Sequence, residues 1–113
     1  MAVNSDMLGS AVETIILKLL NERMMYGYEI IKVVNERTQG AFAWKEGTLY
    51  PCLHRMEQTG VIASEWQDGP FGKPRKYYKL TRRGEALTQE KVAEWKTFSG
   101  AMDAVLLVTP ATA

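Results

Sequence analysis

Residues 46–80 read EGTLYPCLHRMEQTGVIASEWQDGPFGKPRKYYKL, and this stretch decides how the rest of the chain must be arranged. Within it Leu49, Cys52, Leu53 and Met56 recur at i, i+3, i+4 and i+7, so they share one side of a helix with 3.6 residues per turn. Tyr50, Pro51, His54, Arg55 and Gln58 fall on the other side. That side holds almost nothing a core needs, but it offers donors, acceptors and a fixed positive charge to a polar partner. Thr48 is the expected N-cap, which would place Pro51 in the first turn, where a missing N–H costs nothing. Gly60 suits the left-handed position that closes the helix, with Val61 and Ile62 folding over its end.

Beyond the helix, Ile62 to Gln67 reads as a strand with Ile62, Ser64 and Trp66 on one face. Asp68 to Pro74 carries two glycines and two prolines and must turn; Arg75 to Leu80 returns as a second strand. Tyr77 and Tyr78 point to opposite faces, so one of them belongs to the core.

Working outward, the apolar set Leu8, Ala11, Val12, Ile15, Ile16, Leu19 and Leu20 predicts a helix over Met7 to Glu22 with a face too wide for one neighbour to cover. A second helix is expected from Tyr26 or Gly27 to Thr38, with Ile30, Ile31, Val33 and Val34 inward and Gln39-Gly40 ending it. Ala41 to Trp44 alternates and is expected to add a short strand to the sheet. After Leu80, Thr81 can cap a last helix on which Val92, Trp95, Phe98, Met102, Val105 and Leu106 form a stripe. Pro110 stops it, and the Thr/Ala tail is expected to be mobile.

Three helices and a hairpin in this order give a mainly α fold with a small β-wing, the winged helix-turn-helix plan, in which the third helix enters the DNA major groove and the wing reaches a phosphate backbone. The expected division is residues 1–80 as the winged helix-turn-helix domain, residues 81–109 as a C-terminal dimerisation helix and residues 110–113 as the tail. Because the stripe on the last helix has little of its own chain left to cover it, a homodimer is expected. Its interface would hold Leu8 of the first helix and Val92, Trp95, Phe98, Met102, Val105 and Leu106 of the last.

Composition narrows the rest. A chain of 113 residues with 46% hydrophobic and 24% charged residues is one ordinary globular domain, too small to bury much surface alone. No basic region precedes an apolar run at the N-terminus, and Lys18 interrupts Ile15-Ile16-Leu17, so neither a secretory signal nor a membrane span is expected and the location reads as cytoplasmic. A single cysteine, Cys52, excludes an internal disulfide and fits a reducing compartment. The net charge of +1 gives no hint of nucleic-acid binding, but its distribution does. Lys73, Arg75, Lys76, Lys79, Arg82 and Arg83 crowd the second strand and its exit, with no acid between Asp68 and Glu85.

The pieces Tyr26-Gly27-Tyr28-Glu29-Ile30, Gly47-Thr48-Leu49-Tyr50-Pro51, Leu53-His54-Arg55-Met56-Glu57, Gly60-Val61-Ile62, Arg75-Lys76-Tyr77-Tyr78-Lys79-Leu80-Thr81 and Gly84 together resemble the PadR-like transcriptional regulators, in that family's order. The single last helix resembles the smaller subfamily, which dimerises through that helix and the first. The resemblance implies a repressor that leaves its operator when a small molecule binds, a phenolic acid in some members and flat aromatic drugs in others. Multidrug-binding members carry a tryptophan on the last helix at the dimer centre, and Trp95 stands at the matching place.

The candidate DNA contacts are thus Thr48, Tyr50, Pro51, His54, Arg55 and Gln58 on the helix and Lys73, Arg75 and Lys76 on the wing, against the plain alternative of solvated surface. The partner would be double-stranded DNA with a pseudo-palindromic operator. Trp95, Phe98 and Met102, with Val12 or Ile15 from the partner's first helix, are the candidate walls of a pocket for a planar aromatic molecule; the plain alternative is a dimer core. His54 is the only histidine and has no carboxylate or thiol at metal-ligand spacing, and no nucleophile and base can be paired, so neither metal, cofactor nor enzymatic activity is expected. Two other functions remain open from the sequence. One is a winged-helix module that binds protein, which the acid-free basic run disfavours; the other is a constitutive DNA-binding protein without an effector, which only Trp95 disfavours.

Overall fold

The computed structural model describes residues 11–109. In chain order these form α1 (Val12–Glu22), β1 (Met25–Tyr26), α2 (Gly27–Arg37), α3 (Glu46–Gln58), β2 (Ile62–Asp68), a short 3-10 turn (Pro70–Gly72), β3 (Pro74–Leu80) and α4 (Arg82–Leu106). The fold is mainly α with a small antiparallel sheet, ordered β1-β3-β2. Leu8, the expected start of the first helix at Met7, Pro110 and the tail lie outside the described residues.

The core forms where three amphipathic helices turn their apolar faces together over one end of the sheet. Ile16, Leu17, Leu19 and Leu20 of α1 meet Ile30 and Val34 of α2 and Leu49, Cys52, Leu53 and Met56 of α3, all buried. Met25, Ile62 and Tyr78 close the sheet side, which makes Tyr78 the core member of the tyrosine pair. Fully burying each large aliphatic side chain stabilises the fold by about 1.5–3 kcal/mol, as an upper bound. At the surface Arg37 donates twice to the carboxylate of Glu22, at 2.8 and 2.6 Å, tying α2 to α1. That hydrogen-bonded guanidinium holds the Glu22 carboxyl below its ordinary value.

The third strand is not where the alternation of Ala41 to Trp44 put it. It is Met25–Tyr26, paired antiparallel to β3 with Met25 opposite Tyr78 and Tyr26 opposite Tyr77. Residues 41–44 leave extended backbone at Ala43, whose φ is 50°. The backbone groups a strand would have paired go instead to a side chain: Trp44 N–H donates to Asn35 Oδ1 at 2.8 Å, and Asn35 Nδ2 donates to the Trp44 carbonyl at 3.1 Å. Trp44 is thereby pinned as a core residue, 2% exposed, just ahead of α3.

The start of α3 also differs from expectation. Lys45, in extended conformation, is the N-cap residue, and its carbonyl accepts from the N–H groups of Thr48 and Leu49. Thr48 therefore sits within the first turn instead of capping it, and Pro51 lies inside the helix. The bond forgone is the one Pro51 would have donated to Gly47, and Gly47 is exposed, so water can serve its carbonyl. Glu46 in the first turn complements the helix dipole in place of a side-chain cap.

Helix α4 runs for 25 residues, about 37 Å at 1.5 Å per residue. Thr81 caps it as expected, its hydroxyl accepting from Gly84 N–H at 3.2 Å. Its first turns are anchored through buried Gly84 and Thr88, whereas Trp95, Phe98, Met102, Val105 and Leu106 further along are exposed. No described helix is long and apolar enough to cross a membrane.

Candidate nucleic-acid interface

Helix α3 separates its two faces completely. Leu49, Cys52, Leu53 and Met56 are at most 3% exposed, while Thr48, Tyr50, Pro51, His54, Arg55 and Gln58 all face solvent. Burial pushes the Cys52 thiol above its ordinary value, and its Sγ lies 3.6 Å from the Met56 sulfur, so it serves as packing. Tyr50 leans across to α2, its phenol against Gly27, where even a methyl group would overlap the ring. The C-terminus is closed by a Schellman motif: Gly60 takes φ +80°, its N–H donates to Glu57, and Val61 N–H donates to Met56.

The end of α3 is tied directly to the start of α4. The Thr81 hydroxyl donates to the Gly60 carbonyl at 2.6 Å, and Thr81 N–H donates to Val61 at 3.2 Å. Gly84 packs so closely that a Cβ there would overlap the Val61 carbonyl oxygen. Only glycine permits this approach.

The wing hairpin pairs β2 with β3 from Ile62 opposite Leu80 out to Asp68 opposite Pro74. Burial fades along it, with Ile62 buried and Glu65 to Asp68 in solvent. The basic run, free of acids in sequence, is not free of them in space. Lys76 Nζ lies 3.5 Å from Glu57 of α3 and Lys79 Nζ 3.7 Å from Glu65 of β2. Arg75 stacks its guanidinium over the Tyr26 ring at 5.5 Å. Among the described residues Lys73, Arg75, Arg82 and Arg83 make no ion pair, so these four, not six, carry free charge. The two surface pairs are worth only about 0–1 kcal/mol each and can exchange partners for phosphate.

The second site region lies on α4. Trp95 and Phe98 stack obliquely with ring centroids 5.8 Å apart. They wall a groove of about 580 Å³ together with Thr14 and Ile15 of α1 and Phe42 of the loop before α3. An adjoining hollow of about 330 Å³ shares Trp95, Ile15 and Phe42 and is lined further in by Val34 and Val92. Of the expected pocket residues, Trp95, Phe98 and Ile15 thus come together within one chain. Val12 does not: at 7% exposure it belongs to the core. Met102 stands farther along the stripe, outside both hollows. Phe42 was missed by sequence reasoning because Ala41 to Trp44 reads as a strand, and an alanine gives no signal of the left-handed turn that Ala43 makes after it.

Comparison with known proteins gives a consistent answer. The profile described as "Transcriptional regulator PadR-like family" matches residues 16–90. An uncharacterised protein of Lysinibacillus sphaericus is 41% identical over 93 residues, covering 82% of this chain and 85% of that one. The PadR-like transcriptional regulator of Bacillus cereus superposes with a TM-score of 0.83 at 30% identity, over 93% of this chain and all of the other. A transcriptional regulator of Clostridium thermocellum gives 0.82 at 33% identity, over 93% and 99%. The polar outer face of α3, the wing beside it and these matches have one reading: the chain belongs to the PadR-like family of transcriptional regulators, which bind DNA and are not enzymes.

Proposed function

We propose that this regulator is a homodimeric repressor that leaves its operator when a planar aromatic molecule stacks on Trp95. The observation that carries the reading is Trp95 itself, 53% exposed on an apolar stripe yet forming the wall of a groove. A second copy laid against the stripe would cover Phe98, Met102, Val105 and Leu106 and bring the two Trp95 side chains toward a common axis. A flat ligand between them gains roughly 0.5–1.5 kcal/mol per stacked pair beyond the area buried.

In this reading Thr48, Tyr50, Pro51, His54, Arg55 and Gln58 meet the major groove, and Lys73 and Arg75 meet phosphate. Lys76 contributes less, since Glu57 already holds it. Two α3 helices related by a two-fold axis call for a pseudo-palindromic operator with half-sites one helical turn, or a multiple, apart. Such a protein works in the cytoplasm, where the chromosome is.

Release needs only differential affinity: the ligand must favour the dimer form whose α3 helices are wrongly spaced for DNA. The bonds from Thr81 to Gly60 and Val61 support a rigid transfer, because a change in how two α4 helices cross would carry the end of α3 with it. The protein-binding alternative loses ground through family membership, not through the wing charges, two of which are paired.

The test is Trp95→Ala. It should abolish ligand-induced release while leaving operator binding nearly unchanged, and ligand should partially quench wild-type fluorescence, Trp44 and Trp66 still emitting. A Trp95→Ala protein that responds to aromatic ligands like the wild type would place the pocket elsewhere.

A further inference from the structure

The far end of the wing carries a side chain that contributes nothing to the fold. Phe71, at the tip, is fully exposed, at 102%, and its φ of 63° lies in the left-handed region that a bulky residue seldom adopts. Burying nothing and straining its backbone, the ring stabilises no part of this chain. The tip around it is stiff. Gly69 N–H donates to the Lys73 carbonyl at 2.7 Å, Gly72 N–H donates back to Gly69 at 3.1 Å, and Pro70 and Pro74 fix the flanking torsions. Of the seven paired positions from Ile62 opposite Leu80 to Asp68 opposite Pro74, those beyond Tyr77 run past β1 and carry the tip about 10 Å beyond the three-stranded part of the sheet at 3.3 Å per residue.

The surroundings select the partner. Lys73, without an ion pair among the described residues, follows Phe71 at the tip; Arg75, likewise without one, lies on β3 with its stem against Gly69 and its guanidinium over the Tyr26 ring, and Asp68 is the one acid at the tip. An apolar ring projecting from a cationic hairpin suits a polyanion with a stackable interior better than an apolar protein surface. Gly72, next to Phe71, has open space where a side chain would stand and lets the backbone approach sugar edges closely. The minor groove is about 6 Å wide, too narrow for a helix but open to single side chains, and apolar wedges there unstack a base step.

We propose that Phe71 is a wedge that enters the minor groove flanking each half-site and partly unstacks one base step. This rests on the reading of α3 and the wing as the DNA-binding surface and extends it. It makes Phe71 a specificity determinant without a base hydrogen bond: the flank should favour easily unstacked pyrimidine–purine steps over stiff A-tracts.

The experiment selects duplexes from a random pool with the wild-type protein, then measures their affinity for Phe71→Asn and Phe71→Leu. Asparagine tolerates the left-handed backbone, so loss of the wedge is separated from loss of the turn. The wild type should enrich pyrimidine–purine steps at symmetric flanks. Phe71→Asn should bind roughly tenfold more weakly, the low end of a lost stacking contact, with that enrichment gone and the salt slope unchanged; Phe71→Leu should retain most of both. A 2-aminopurine placed at the flank should brighten with wild type and not with Phe71→Asn. Equal affinity and equal flanks for Phe71→Asn would overturn the wedge while leaving DNA binding by α3 intact. Failure of the wild type to select any duplex would overturn both.

Discussion

Helices α3 and α4 are both amphipathic, but they leave opposite faces in water. On α3 the apolar residues are at most 3% exposed and the polar ones face out; on α4 it is Trp95, Phe98, Met102, Val105 and Leu106 that face out, at 41–78%. What a helix leaves exposed describes its partner. A polar, cation-bearing face fits a nucleic acid, whereas an apolar stripe of this length fits another apolar stripe. The same chain therefore carries two exposed faces of different chemistry, joined where Thr81 and Gly84 meet the end of α3.

The difference predicts opposite responses to an added charge. Met102→Asp would bury an unpaired carboxylate in the dimer and weaken it by about 3–5 kcal/mol, seen as dissociation in sedimentation at micromolar concentration. Gln58→Asp on the outward face of α3 should leave the oligomeric state as it is. If Met102→Asp stays associated like the wild type, the stripe is not the interface.

Next in size is the joint between the helices. Gly84→Ala drives a methyl into the Val61 carbonyl and should cost about 1–3 kcal/mol of unfolding free energy, measured by denaturant titration. Gly100→Ala, on the same helix with open space around it, should cost nothing and could stabilise through helix propensity. Equal effects at the two glycines would mean that α4 is not locked to α3.

The smallest effects lie on the wing. Lys73→Ala should lower the slope of log affinity against log salt by about one unit. Lys76→Ala should lower it by less, because Glu57 already neutralises that ammonium group at 3.5 Å. Identical slopes for the two variants would show that the ion pair opens fully on DNA.

How far these features were legible in the sequence depended on whether their cause was local. The inward face of α3, the Gly60 closure, the two wing strands and the Thr81 cap all follow from spacing or from one residue's backbone preference. The strand at Met25–Tyr26 did not, since two residues show no periodicity and its existence depends on β3 lying alongside. Ala41 to Trp44 misled because Asn35, on the preceding helix, supplies the hydrogen bonds that alternation attributed to a neighbouring strand. Lys76 and Lys79 read as free charges because Glu57 and Glu65 reach them only after the chain folds back. Lys45 displaced Thr48 as the cap since its extended backbone starts the helix one turn earlier. Val12 fell to the core for a related reason: a wide apolar face shows that a helix has several neighbours, not which residue meets which.

In the proposed dimer, the pairing of two α4 stripes sets both the spacing of the α3 helices and the meeting of the Trp95 side chains. Sedimentation equilibrium of the wild-type protein at micromolar concentration tests it most directly. The account predicts a single folded species of twice the 12.7 kDa chain mass; a stable, folded monomer with the stripe still in water would contradict it.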